Sequence, residues 1–163
     1  MFDWIYLISE GIEDFMEIGS DKVNEKQTVT HRIPVDVYHM VLTRGLTIKP
    51  SIDYEVGGLI DGIIYLNPEM SLERRRFVMA HCLAHEILGT TTNLPEKIEN
   101  FREHIGGIEH QANNLALDIL IPESTLLQIV RKGNVNVAGL AEYFQVSQVA
   151  MGSKLAKIME NRK

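Results

Sequence analysis

The chain has 163 residues, 45% of them hydrophobic and 23% charged, with one cysteine and a formal net charge of −6. That balance describes a single soluble domain, residues 1–163, long enough to bury a core; it excludes a disordered tail, a collagen-like repeat and a disulfide scaffold. The lone Cys82 forbids an intramolecular disulfide and a site of several thiolates, which suits a reducing cytoplasm, and the acidic balance argues against a whole-molecule nucleic-acid binder.

No apolar run approaches the ~18 residues needed to cross a bilayer, so no membrane association is expected. The opening ten residues carry Asp3 and Glu10 and no basic residue, unlike a signal peptide. Ile5, Ile8, Ile12 and Phe15 recur at helical spacing and predict an amphipathic helix ending near Gly19. Polar residues 20–31 read as a linker. Pro34 suits the first turn of a helix over 35–43, closed by Gly45. Residues 46–49 and 54–60 read as short strands broken by Pro50, and Gly62 turns the chain into a third strand over 63–66 that Asn67-Pro68 ends. Ser71 is a suitable N-cap for a helix over 72–88, with Gly89 beyond its end. A loop over 90–95 and a helix over 96–104 lead to the Gly106-Gly107 break. Residues 108–120 form the next helix, stopped by Pro122, and three shorter helices follow over 124–131, 137–144 and 147–159. The fold class is therefore α+β, mostly helical with a small central sheet.

The helix over 72–88 carries His81 and His85, four positions apart and so on one face, close enough to share one ion. Zinc, at about 2.0–2.1 Å from each nitrogen, is the natural occupant. Phe77, Ala84 and Leu88 flank the pair at core spacing, which turns the imidazoles inward. Buried imidazoles need partners, and the alternative to a metal is two satisfied core histidines. A third ligand belongs on a neighbouring helix. Glu109, Ala112, Asn113, Ala116 and Leu120 form one stripe, and the two alanines let a facing helix approach and bring Glu109 to the pair. His104, beside the glycine break, and His110, about 100° from the stripe, are its rivals. Glu109 can also be an exposed acid complementing the helix dipole.

Two strings carry a family resemblance. EMSLERRRFVMAHCLAHEILG (69–89) resembles the active-site helix of ImmA/IrrE-type zinc metallopeptidases, R-F-x-x-A-H-E-x-x-H. EHQANNLALDILIP (109–122) is similar to the same family's E-x-x-A-N-x-x-A-x-x-[LI]-[LI]-x-P. Upstream, residues 35–50 and GLIDGIIYLNP (58–68) match the helix, strand and Asn-Pro turn expected before the active helix. The resemblance spans roughly residues 33–160. It implies a zincin-like fold, with a metal-site core over 32–122 between the N-terminal segment 1–31 and C-terminal helices over 123–163. It implies His81, His85 and Glu109 as ligands of one Zn2+ with water as the fourth, and zinc-assisted peptide hydrolysis. The implied substrate is a helix-turn-helix transcriptional repressor of a mobile element, such as a phage, or of a stress regulon.

One position departs from the family's pattern. Where the family has glutamate after the first histidine, this chain has Cys82. That glutamate is the general base, taking a proton from the zinc-bound water and passing it to the leaving amine. Cysteine is two heavy atoms shorter, and a thiol with an ordinary pKa near 8.5 need not be ionised. Zinc binding is therefore expected, with poor hydrolysis. Glu86, one turn (about 5.4 Å) further along, is a weak substitute base. Cys82 can otherwise serve as a redox-sensitive group, a direct metal ligand or a small buried hydrophobe. Glutamate and cysteine codons share no nucleotide, so a single base change does not interconvert them; a natural and an introduced replacement both fit.

The C-terminal helices resemble a helix-turn-helix, which would let Gln145, Gln148 and Lys154 face a DNA groove. The opposing reading is an ordinary core built on Leu140, Phe144, Val149 and Leu155. Residues 123–163 hold 6 Lys/Arg against 3 Asp/Glu, a net +3, while residues 1–122 hold 10 against 19. Few phosphates could be neutralised, so DNA is not the expected partner. The run Arg74, Arg75 and Arg76 includes a solvated face with Glu73, since consecutive helix positions cannot share one surface. Two further readings stay open: a non-enzymatic zinc-containing protein that binds a repressor, and a DNA-binding module.

Overall fold

The computed structural model describes residues 32–53, 57–90, 107–133 and 135–161. The predicted helix near 5–19, the linker, the helix over 96–104, His104 and residues 54–56 of the second predicted strand lie outside them. Among the described residues there are six helices and a three-stranded sheet. No helix among them is long and apolar enough to cross a membrane. The chain divides into two compact units, one spanning Asp36–Leu120, the other Ile121–Lys163 together with the segment ending at Val35.

The first unit begins with α1 (Val37–Thr43), whose cap is Asp36: its carboxylate accepts from His39 N–H at 2.9 Å. The helix thus starts later than Pro34 suggests, because a capping carboxylate defines the first turn better than a proline's fixed φ. Strands β1 (Thr47–Pro50), β2 (Gly58–Ile60) and β3 (Ile63–Leu66) pair in the order β1-β3-β2, with β1 parallel and β2 antiparallel to β3. Asp61 and Gly62, with φ of 49° and 75°, make the two-residue hairpin between β2 and β3, the turn chemistry an Asp-Gly pair favours. β1 ends at Pro50, within one residue of the predicted break, and Pro50 itself pairs with Leu66. β1 lies at the sheet edge, where a missing N–H is tolerated, and Ser51 N–H continues the ladder to Leu66 O at 3.0 Å.

Gly57 leads into β2 at φ +88°, and a Cβ there would stand 2.7 Å from Tyr65 O and 2.8 Å from Val78 Cγ1. Only glycine lets the hairpin lie this close to the helix that carries the site. Gly57→Ala combines left-handed strain of about 1–2 kcal/mol with overpacking of about 1–3 kcal/mol. The expected loss is about 2–5 kcal/mol, read as a lower urea midpoint with an unchanged m-value.

Helix α2 (Leu72–Leu88) starts at Ser71, whose Oγ accepts from Arg74 N–H at 3.2 Å. It ends at Gly89 in the left-handed region, with Gly89 N–H to Glu86 O at 3.3 Å and Thr90 N–H to His85 O at 2.9 Å. This double bond pattern is a Schellman closure. Every residue from Arg76 to His85 is buried, because α1, the sheet and α3 (Ile108–Leu120) all pack on α2. One expectation changes here: Leu88 is 38% exposed, since it falls in the last turn beyond the packed stretch. Of the arginine run, Arg76 is the member turned inward, 7% exposed. Consecutive helix positions cannot share a face, so a run of three arginines on a packed helix must send one inward. Burial lowers the Arg76 pKa from its ordinary value, and the Asp36 charge opposes that shift.

In the second unit, α4 (Glu123–Arg131) follows Pro122; α5 (Val137–Phe144) is capped by Asn136 and α6 (Gln148–Glu160) by Ser147. Leu126, Leu140, Phe144, Met151, Leu155 and Ile158 are buried. Val149 is not a core residue but 66% exposed. The inward stripe of α6 is Ala150, Met151, Lys154, Leu155 and Ile158, and Val149 falls on the opposite side of the turn. The same rotation corrects the groove-facing reading of Lys154, which is 2% exposed with its Nζ 3.9 Å from Glu123 Oε2. Gln145 forms the left-handed turn between α5 and α6, and Gln148 is exposed.

Candidate metal centre

The i, i+4 spacing on α2 and the small-residue stripe on α3 converge on one point. Ala112 and Ala116 are fully buried, which lets the backbones of α2 and α3 come close and carries Glu109 to the histidine pair. His81 Nε2 and His85 Nε2 are 3.0 Å apart. Glu109 Oε2 lies 3.3 Å from His81 Nε2, and Glu109 Oε1 lies 3.2 Å from His85 Nε2. The two imidazoles meet edge to face at 4.5 Å between centroids, and Phe77 lies against His81 at 6.2 Å. Both histidines are buried, while the Glu109 side chain keeps 21% of its surface, giving the cluster one open side.

These separations test the donor set against a metal. Ligands at about 2.0–2.1 Å in a tetrahedron stand about 3.3 Å from one another. The three observed edges, 3.0, 3.2 and 3.3 Å, need only a slight opening to match. Two imidazole nitrogens and a carboxylate oxygen are zinc ligands by chemistry, and among the described residues His81, His85 and Glu109 are the group able to hold an ion.

Electrostatics favours the ligand forms. Burial lowers the His85 pKa, the His81 ring adds to the shift, and Glu109 opposes it. The ring therefore stays neutral, as a ligand must. The hydrogen bond from His81 holds the Glu109 carboxyl below its ordinary value against the opposing effect of burial, so it is ionised.

Thr90, which pattern reasoning left in a loop, completes the support of His85: Thr90 Oγ1 is 3.0 Å from His85 Nδ1. The Schellman closure at Gly89 folds Thr90 back over His85, which is the one signal that could have found it. With the proton on Nδ1 donated to the threonine, the Nε2 lone pair is left for an ion. His81 Nδ1 is buried and has no hydrogen-bond partner among the described residues.

Cys82 is 2% exposed, and burial, with the Glu109 charge adding to it, pushes its thiol up to about 12. Glu86 is half-buried, and no hydrogen bond or ion pair among the described residues ties it to the cluster. His110 is half-buried beside Glu109 and outside the metal-holding group, as its position off the alanine stripe predicts.

The family described as the IrrE N-terminal-like domain, a peptidase family, matches residues 32–156. No curated protein and no solved structure matches the chain. The match covers well over half of the sequence and includes both helices of the histidine–glutamate cluster, so the chain belongs to the IrrE N-terminal-like domain family of peptidases.

Proposed function

We propose that this chain is a zinc-binding, metallopeptidase-like protein in which His81, His85 and Glu109 hold the ion and Cys82 leaves hydrolysis impaired. The observation that carries the reading is the convergence of three ligand atoms at 3.0–3.3 Å from two helices. When bound, zinc supplies Lewis acidity and brings the pKa of a coordinated water near 7. The chain's own residues do the rest. Thr90 fixes the His85 ring, the α2–α3 contact fixes Glu109, and the open side at Glu109 admits a fourth ligand. Position 82, next to His81, is where the family's proton carrier stands, and a buried neutral thiol there is a poor acceptor.

By the family resemblance, the partner is a helix-turn-helix repressor, bound and cleaved slowly or only held. The C-terminal helices give DNA binding little support: Lys154 is buried against Glu123. The test is metal analysis of the purified full chain. About one zinc per chain is expected, lost with His81→Ala and with Glu109→Ala while both variants stay folded by circular dichroism. A chain free of zinc after equilibration, or one whose zinc survives both substitutions, contradicts the reading.

A further inference from the structure

The two histidines are supported unequally. His85 Nδ1 meets Thr90 Oγ1, whereas His81 Nδ1 is a buried atom with no partner among the described residues. A second buried atom in the same unit shares that condition: the side-chain oxygen of Asn113. One is a donor whenever Nε2 keeps its lone pair for an ion, and the other is an acceptor. Buried polar atoms left unmatched are destabilising, so a complementary pair in one helix contact calls for explanation.

The two atoms are not hydrogen-bonded to each other in this structure, but they belong to the same helix contact. Glu109 stands in the first turn of α3 opposite His81 and His85, and Asn113 is one turn further on the same face. α2 ends at Leu88, one turn beyond His85, but extends back to Leu72. α3 packs along α2 more extensively than any other helix does, which requires it to run back toward the N-terminal end of α2. Asn113 therefore comes level with His81 rather than with Leu88. The other buried donors on α2 do not compete for it: Arg75 and Arg76 lie six and five positions before His81, about 120° and 140° away around the helix.

We infer that Asn113 is a positioning residue: in the zinc-loaded protein its side-chain oxygen accepts the Nδ1–H of His81, as Thr90 Oγ1 does for His85. Each imidazole then carries its proton on Nδ1 and aims Nε2 at the ion. The inference rests on the zinc reading above and concerns the orientation of His81 alone.

The experiment compares the full-length protein with Asn113→Asp, which keeps an acceptor, and Asn113→Leu, which removes it. Zinc affinity is measured by competition with a chromophoric chelator, and the imidazole N–H protons by 15N-resolved NMR of the zinc-loaded forms. Loss of an outer hydrogen-bond partner weakens a metal site by about 10–100-fold. Asn113→Leu is expected to show that loss together with rapid exchange of the His81 Nδ1 proton, and Asn113→Asp to restore both within about threefold. A merely structural asparagine would make the two variants equally weak, which overturns the inference. So does Asn113→Leu binding zinc like the parent with the His81 proton still protected. A parent that binds no zinc overturns both this inference and the zinc reading, whereas zinc bound by all three proteins with equal affinity overturns this one alone.

Discussion

Cys82→Glu is expected to raise zinc-dependent cleavage of a candidate repressor by about 10²–10⁴-fold in kcat/KM, the ordinary contribution of a positioned general base. Three features of position 82 support that expectation. It directly follows His81 on α2, and it is close enough to Glu109 for that charge to act on the thiol. It also lies in the buried stretch where water is excluded and electrostatic effects are strong. What it lacks is a group able to take a proton, since a thiol pushed up to about 12 is neutral at pH 7. Glutamate adds the two heavy atoms of reach and a carboxylate that the neighbouring zinc would keep ionised. Cys82→Ser and Cys82→Ala are expected to stay at the parent's rate, because neither supplies a base. The assay compares all four proteins at equal zinc occupancy and matched circular dichroism. Equal cleavage by the parent and the glutamate variant would show that position 82 does not limit the reaction.

The clustering of His81, His85 and Glu109 was legible in the sequence because each part follows from helix geometry. His81 and His85 at i, i+4 must share a face, and Glu109 with Ala112 and Ala116 marks the one stripe of the next helix able to approach closely. The caps at Ser71 and Gly89 were legible for the same local reason. What escaped depends on which way an element is turned by its neighbours. Lys154 is a charged side chain that pattern reasoning places outside, yet it is buried, and Val149 is an apolar residue placed inside that is 66% exposed. Helix α6 shows the cause: its polar Lys154 falls within the inward stripe, so residue type and face disagree, and burial there follows the packing rather than the residue. Thr90 escaped because its role comes from the turn at Gly89, which sequence spacing ends a helix with but does not fold back. The inclusion of Pro50 as the last residue of β1 escaped because the position of β1 at the sheet edge, where a proline is harmless, is a tertiary fact.

Stripping zinc is expected to lower the melting temperature at pH 7 by about 8–16 °C relative to protein at zinc a thousandfold above its dissociation constant. Such an excess stabilises by about 4 kcal/mol, and for a chain of this size each kcal/mol moves Tm by about 2–4 °C. The ion is expected to act through His81, His85 and Glu109, so His81→Ala should melt at one temperature with or without zinc. The pH dependence has a definite sign. His85 has a lowered folded pKa, so between that value and its ordinary 6.5 the unfolded chain binds more protons, and stability falls as the pH drops through this window. Glu109 is also lowered, and its contribution, present above the ordinary 4.5, is lost as the pH falls through the folded value. Both groups therefore make the zinc-free protein less stable from pH 7 toward pH 4. Zinc adds a second loss in the same direction, because protons compete with it for the imidazoles and the carboxylate. The zinc-dependent increment in Tm should shrink as the pH falls toward the lowered His85 value and vanish before the zinc-free protein unfolds in acid, a sequence that differential scanning calorimetry across that range resolves. An increment that stays constant down to pH 4 would mean that the ion is held by groups other than two histidines.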